Sequence, residues 1–209
     1  MHPTALPPTP EVVVFDLGKV LLDFDYRIVA GRVAARGAMN TGEVQTLIDH
    51  SPLLFRFETG HISRDQFFRE IVARCGYRGS PVEFARDFAE QFTPIAPMLG
   101  LHAALRAARI PTFIFSNTND LAIEHIRERY PFFAEFDGYV LSYEHGAMKP
   151  EAKLYEVVER VTGRAGAAIL YLDDRLENAE AGRARGWQVI HHSTPEETIT
   201  LARKLGLPV

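Results

Sequence analysis

The stretch VVVFDLGK, residues 12–19, carries the pattern that decides the fold. Its four apolar residues are rich in β-branched side chains, and a carboxylate and a glycine follow closely. This is typical of a buried strand that ends in a polar turn. Four similar apolar runs follow along the chain, at residues 112–115, 138–141, 168–172 and 187–190. Helical patterns separate these runs, and strands that alternate with helices predict an α/β fold with a doubly wound parallel sheet.

The segment after the first strand breaks this alternation. It predicts consecutive helices, one of which begins at the capping box Ser63–Gln66. We therefore expect a small helical cap at residues 23–96, inserted after the first strand of an α/β core formed by residues 11–22 and 97–209. The Pro-rich start, residues 1–10, is predicted to be a disordered tail.

Composition and charge exclude several classes of protein. The 209 residues are 46% apolar and 24% charged, as in ordinary globular proteins, and the net charge of −4 does not favour nucleic-acid binding. The single cysteine, Cys75, excludes an intramolecular disulfide framework. No apolar run approaches the roughly 20 residues of a membrane span, and the start does not resemble a signal peptide. We expect a cytoplasmic protein without a membrane partner; the sequence does not indicate its oligomeric state.

Polar side chains follow the predicted strands at the points where the strands end. They comprise carboxylates, a hydroxyl, an amide and, beyond the third strand, an amine: Asp16, Ser116, Asn117, Lys149, Asp173 and Asp174. Ligands of open α/β sheets bind outside the carboxyl ends of the strands, so we expect these groups at one edge. Taken alone, Asp16, Ser116 and Asn117 are also common in ordinary turns, and Lys149 is also typical of a solvated surface charge. The adjacent acids Asp173 and Asp174 repel each other unless a cation or hydrogen bonds compensate, and this favours a functional site.

Four motifs in this order resemble those of the haloacid dehalogenase-like hydrolase superfamily: FDLGKVLLDFD at 15–25, FIFSNTND at 113–120, MKPEAKLY at 148–155 and LYLDDRLEN at 170–178. Within it, the chain is most similar to the bacterial branch that includes alpha-D-glucose-1-phosphate phosphatase. The DLG-x-V-x-x-D start and the E-x-G-x-I-S run at Glu58–Ser63 support that branch. The resemblance implies a Mg²⁺-dependent phosphatase for a small phosphorylated metabolite, with a sugar phosphate favoured and an aspartyl-phosphate as the intermediate.

The resemblance also implies catalytic and substrate-binding roles. Asp16 would be the nucleophile that attacks phosphorus, and Lys149 would neutralise charge on Asp16 and on the phosphoryl group. Ser116 and the backbone amide of Asn117 would bind phosphoryl oxygens. These residue types suit the chemistry, because a carboxylate that approaches a phosphate dianion is repelled unless positive charge and hydrogen-bond donors compensate.

A metal site is implied as well. Asp16 and Asp174 would bind Mg²⁺, with Asp173 in direct or indirect support and the carbonyl of Gly18 as a further ligand. Mg²⁺ prefers carboxylate, water and phosphate oxygens, which agrees with this set.

Gly18 departs from the pattern of most phosphatases in the superfamily, which carry a second aspartate two residues after the nucleophile. That aspartate protonates the leaving alcohol and later activates water, and glycine can do neither. General acid–base catalysis contributes about 10²–10⁴-fold, so we expect slow hydrolysis of the aspartyl-phosphate and a tolerance only for good leaving groups. Asp23, Asp25 and Lys19 are near enough in sequence to substitute, although structural roles are more common for such residues.

Two other interpretations stay open. A haloacid dehalogenase also uses an aspartate nucleophile without the second acid, but it needs no divalent metal, and the pair Asp173–Asp174 argues against it. A catalytically weak binding or regulatory protein would explain Gly18, but it would not need the nucleophile, hydroxyl, lysine and acids together. For substrate recognition, the turn before the capping box offers Glu58 and His61.

Overall fold

The computed structural model describes residues 8–49 and 51–209, so most of the predicted tail lies outside the described residues. The strands of the central sheet are β1 (Val12–Phe15), β4 (Thr112–Ser116), β5 (Gly138–Leu141), β6 (Ile169–Asp173) and β7 (Gln188–His191). Their order across the sheet is β5-β4-β1-β6-β7, and all neighbouring strands are parallel. Two short strands, β2 (Leu22–Asp23) and β3 (Thr93–Pro94), form a separate antiparallel pair.

The helices fall into two groups along the chain. Between β2 and β3 lie α1 (Tyr26–Ala34), α2 (Thr41–Ile48), α3 (Pro52–Glu58), α4 (Arg64–Cys75) and α5 (Pro81–Ala89). Alternating with the sheet strands are α6 (Ala96–Ala107), α7 (Asp120–Arg129), α8 (Ala152–Thr162), α9 (Leu176–Ala184) and α10 (Pro195–Lys204). Among the described residues, no helix has the length and apolarity needed to cross a membrane.

The central strand β1 is buried on both faces. Val13 and Phe15 belong to an apolar cluster that includes residues of α6, α7 and α10, whereas Val12 and Val14 belong to another with residues of α8. Successive side chains of a strand point to opposite faces, so four apolar residues in a row require helices on both sides of the sheet. The predicted doubly wound α/β fold is confirmed.

Helices α1–α5, here called the helical block (residues 26–89), are inserted after β1 and pack around an apolar cluster of their own. Phe57 and Phe67 stack within it, with ring centroids 4.4 Å apart and an interplanar angle of 14°. The predicted capping box at the start of α4 is present, with Ser63 and Gln66 each bonded to the other's backbone. The strands β2 and β3 lie at the two ends of this insertion and pair with each other. Strands of two residues leave no recognisable pattern in a sequence, so this pair was not predicted.

Candidate active site

The carboxyl ends of three parallel strands bring the acidic residues together. Asp16 directly follows β1, Ser116 ends β4 and Asp173 ends β6. Because β1 lies between β4 and β6, these ends meet at one edge of the sheet. Carboxylate oxygens of Asp16, Asp173 and Asp174 lie within 4.8 Å of one another. Acids that are far apart in the sequence thus form one cluster.

Lys149 is in contact with this cluster. Its Nζ is 3.0 Å from Asp16 Oδ1, and it donates hydrogen bonds to Asp173 Oδ2 at 2.7 Å and to Phe115 O at 2.9 Å. Only 1% of its side chain is exposed, and burial alone would lower its pKa. The charges of Asp16 and Asp173 outweigh burial and raise the pKa of Lys149, so the ammonium group stays charged at neutral pH.

The three carboxylates carry more negative charge than Lys149 can balance. Burial raises the pKa of Asp16 well above its usual value; Lys149 opposes this, and the charges of Asp173 and Asp174 add to it. Burial and the charge of Asp173 also raise the pKa of Asp174. A compact set of hard oxygen donors with excess negative charge fits a divalent cation such as Mg²⁺.

The two aspartates after β6 differ in their surroundings. Asp173 is fully buried and accepts hydrogen bonds from four groups of the protein: Lys149 Nζ, Tyr171 Oη, Asn178 Nδ2 and the backbone N–H of Arg175. Burial would raise the pKa of Asp173, but Lys149 and the other donors lower it. Asp174 is half-buried and lines the cavity described below. The oxygens of Asp16 and Asp174 are therefore better placed to face a cation than those of Asp173.

Ser116 and Asn117 occupy the loop after β4 in different ways. The Ser116 hydroxyl makes one long hydrogen bond of 3.4 Å to the Asn117 carbonyl and lines the cavity. The Asn117 side chain holds the backbone of Lys149: its Oδ1 accepts from Lys149 N at 2.7 Å, and its Nδ2 donates to Lys149 O at 3.1 Å. Asn117 thus positions the lysine through its side chain, and the predicted contact with phosphoryl oxygens falls to its backbone N–H.

Gly18 lies against the ring of Phe24. A Cβ atom at position 18 would be 2.7 Å from Phe24 Cε1, closer than side chains normally approach. Phe24 is in turn packed against Tyr26, with ring centroids 5.5 Å apart, and Lys19 Nζ lies 4.9 Å from its ring centre. The space that the side chain of a second aspartate would use is filled by an aromatic ring.

The three residues considered as substitutes for that aspartate make local contacts. Lys19 Nζ pairs with Asp23 Oδ1 at 2.5 Å and donates to Phe24 O at 2.6 Å. Asp25 caps α1 by accepting from Arg27 N at 2.8 Å, and it also pairs with the Arg27 guanidinium. Hydrogen bonds from Lys19 and Arg27 lower the pKa values of Asp23 and Asp25, respectively. Both acids stay ionised at neutral pH and are poor proton donors for a leaving group.

A cavity of about 750 Å³ lies between the sheet edge and the helical block. Its lining includes five candidate residues at the sheet edge, Asp16, Ser116, Asn117, Lys149 and Asp174. From the helical block it includes polar and apolar side chains, among them Tyr26, Leu54, Phe55, Glu58 and Phe88. Of the two residues predicted for substrate recognition, Glu58 lines this cavity. His61 lies outside the lining and its Nδ1 is 2.9 Å from Thr59 Oγ1. Phe24 and Tyr26 also line the cavity. Their place there was not predicted, although the two aromatic residues stand on either side of Asp25 in the sequence.

Known proteins share both the sequence and the fold. Residues 10–186 match the haloacid dehalogenase-like hydrolase family. The chain is 27% identical over 198 residues to the sesquiterpene phosphatase astK of Aspergillus oryzae, covering 93% of this chain and 96% of that protein. It is 25% identical over 190 residues to a D-ribitol-5-phosphate phosphatase of Bacteroides thetaiotaomicron, with coverages of 84% and 88%.

A solved structure shows the same architecture. The crystal structure of a HAD family enzyme from Bacteroides thetaiotaomicron matches with a TM-score of 0.82 at 21% identity, covering 92% of this chain and 98% of that chain. That enzyme has also been crystallised in complex with magnesium and inorganic phosphate. At 21% identity the structural likeness shows the fold alone. The family match covers residues 10–186, most of the sequence, and shows the family. The chain therefore belongs to the haloacid dehalogenase-like hydrolase family.

Proposed function

We propose that this chain is a Mg²⁺-dependent phosphatase that acts on a small phosphorylated metabolite in the cytoplasm, with a sugar phosphate favoured. The observation that carries the proposal is the cluster of Asp16, Asp173 and Asp174 around one edge, with the buried Lys149 in contact with two of them. In the proposed organisation, residues 23–96 form the cap that covers the cavity. Relatives named as phosphatases, and the magnesium and phosphate bound to a structural neighbour, support the same chemistry.

Each residue of the site has its own role in the proposed reaction. One oxygen of the Asp16 carboxylate attacks phosphorus, the bond from phosphorus to the ester oxygen breaks, that oxygen takes a proton from solvent water to leave as the alcohol, and Asp16 becomes an aspartyl-phosphate. Lys149, held by three acceptors, keeps a positive charge beside the attacking carboxylate and the phosphoryl oxygens. The Ser116 hydroxyl and the Asn117 amide donate hydrogen bonds to those oxygens. Water then attacks phosphorus and loses a proton to solvent, the bond from phosphorus to the Asp16 oxygen breaks, and phosphate leaves with Asp16 regenerated as a carboxylate.

Asp16, Asp174 and the Gly18 carbonyl are the groups that would hold Mg²⁺, with Asp173 supporting them from its network of donors. The ion supplies positive charge that lowers the repulsion between the carboxylate and the phosphate. A metal-independent dehalogenase would not require this excess of acids. A purely binding protein would not require a carboxylate, a hydroxyl and a buried lysine at the same edge.

Phosphate release from a panel of sugar, polyol and nucleotide phosphates tests the proposal. We expect release that requires Mg²⁺ and stops on addition of EDTA, and Asp16→Asn should lower it by about 10³-fold or more. Asp65→Asn is the matched control, because Asp65 is exposed in the first turn of α4 and should leave the rate unchanged. Turnover that survives EDTA, or an Asp16→Asn variant as active as the control, would refute the proposal.

A further inference from the structure

Two polar side chains of the helical block are hydrogen-bonded to each other at the wall of the cavity. Glu58, the last residue of α3, and Tyr26, the first residue of α1, line the cavity that also contains Asp16. The Tyr26 hydroxyl donates a hydrogen bond to Glu58 Oε1 at 3.3 Å. Phe88 and Phe92 line the same cavity, and the rings of Tyr26 and Phe88 are 6.4 Å apart. The Tyr26 hydroxyl meets one oxygen of this half-buried carboxyl, and the remaining hydrogen-bonding capacity of the carboxyl faces whatever occupies the cavity.

The backbone of Glu58 is tied to the loop that follows β4. The buried Ser142 hydroxyl donates to Glu58 O at 2.6 Å and accepts from Thr118 N at 2.9 Å. Thr118 lies two residues after Ser116, which we place at the phosphoryl oxygens. These hydrogen bonds therefore fix the backbone of Glu58 relative to the loop that carries Ser116. The Glu58 carboxyl can then contact the leaving alcohol of a substrate whose phosphoryl group lies at Ser116.

Among the described residues, three charged or titratable groups that act on Glu58 come from other parts of the chain. They are Tyr26 of α1, Asp49 at the end of α2 and Arg175 just before α9. Burial raises the pKa of Glu58 to about 7, and this outweighs the hydrogen bond from Tyr26 and the attraction of Arg175. Near neutral pH the carboxyl is therefore both a donor and an acceptor, and its protonated form adds no negative charge to a cavity that receives a phosphate.

We infer that Glu58, oriented by Tyr26, hydrogen-bonds a hydroxyl group of the leaving alcohol, so that the substrate is the phosphate ester of a polyol or sugar and not of a hydrocarbon. The inference rests on the proposed phosphatase function. A hydrocarbon chain would cover the Glu58 carboxyl and offer it no partner, which disfavours such substrates. Of the substrate classes named for the two phosphatase relatives, a polyol phosphate agrees with this site and a sesquiterpene phosphate does not.

Two substrates that differ only in hydroxyl groups test the inference: ribitol 5-phosphate and n-pentyl phosphate. We expect the wild-type chain to prefer ribitol 5-phosphate by about 100-fold in kcat/KM. Glu58→Met, which keeps the length of the side chain, should lower kcat/KM for ribitol 5-phosphate by about 10- to 100-fold and raise that for pentyl phosphate, because the covered carboxyl is removed. Tyr26→Phe should act in the same direction with a smaller loss.

The pH dependence separates recognition from a structural role. Above about pH 7 the ionised Glu58 repels the substrate phosphate, so kcat/KM of the wild type for ribitol 5-phosphate should fall more steeply there than that of Glu58→Gln. The chain with Glu58→Gln keeps a donor and an acceptor at the same place, and it should retain most of the preference for the polyol.

Activity on p-nitrophenyl phosphate with Mg²⁺ shows whether the proposed function itself holds. A chain that releases no phosphate from any ester refutes that function, and the inference with it. A chain active on p-nitrophenyl phosphate but no faster on polyol or sugar phosphates than on alkyl phosphates overturns the inference alone. Equal losses on both matched substrates in Glu58→Met also overturn it, and circular dichroism melts identify a variant that has failed to fold.

Discussion

Gly18 and Phe24 are best understood together. Phe24 occupies the space next to Gly18, so any side chain at position 18 must displace its ring. Restoring the second aspartate of related phosphatases therefore requires two changes. We expect Gly18→Asp alone to lower the free energy of unfolding by about 1–3 kcal/mol, as overpacking does, and to reduce phosphatase activity.

The double variant Gly18→Asp with Phe24→Ala should recover stability relative to Gly18→Asp and hydrolyse simple alkyl phosphates faster than Phe24→Ala alone. Urea unfolding and initial rates measure the two effects, and Phe24→Ala is the control for loss of the ring. A Gly18→Asp chain that is as stable and as active as the wild type would show that Phe24 does not restrict this position.

At the scale of elements, Ser142 connects the end of α3 with the loop after β4. Its hydroxyl is fully buried and satisfies both Thr118 N and Glu58 O. Ser142→Ala leaves these two backbone groups without that partner, so we expect a loss of about 1–3 kcal/mol in the free energy of unfolding. Because Glu58 loses its anchor, KM for a polyol phosphate should rise more than kcat falls.

Urea unfolding and steady-state kinetics measure both effects. Ser193→Ala is the matched control, since Ser193 is exposed and bonds only locally to Glu197. If the two alanine variants had the same stability and the same KM, Ser142 would not connect the two elements in the way described.

Elements with local signals could be predicted from the sequence, and features built from distant segments could not. The apolar run of β1 and the capping box at Ser63 depend on residues within a few positions, and both are present. The position of acids after strands also indicated the edge where Asp16, Asp173 and Asp174 meet. The different surroundings of Asp173 and Asp174 were not predictable, because they depend on donors from other elements. The position of the Phe24 ring beside Gly18 was not predictable either, because it depends on how the chain folds back between the two residues.

At the scale of the whole molecule, the active site is a region of the fold where carboxylates repel each other. The sheet brings the acids that follow β1 and end β6 together, and Lys149 contacts two of the three, Asp16 and Asp173. A fold optimised for stability alone would not gather these charges. The cost in stability is expected to be recovered when a cation binds, because anything that binds only the folded chain stabilises it.

Thermal melts in EDTA and in Mg²⁺ should therefore differ for the wild type, with a higher Tm in Mg²⁺; at 100 times Kd the gain is about 2.7 kcal/mol. Asp174→Asn removes one charge from the cluster, so in EDTA its Tm should exceed that of the wild type by about 2–4 °C, and its response to Mg²⁺ should be much smaller. Asp65→Asn, which changes an exposed acid on α4, should behave like the wild type in both buffers. If Asp174→Asn melted lower than the wild type in EDTA and still responded fully to Mg²⁺, Asp174 would be neither a source of the repulsion nor a ligand of the ion.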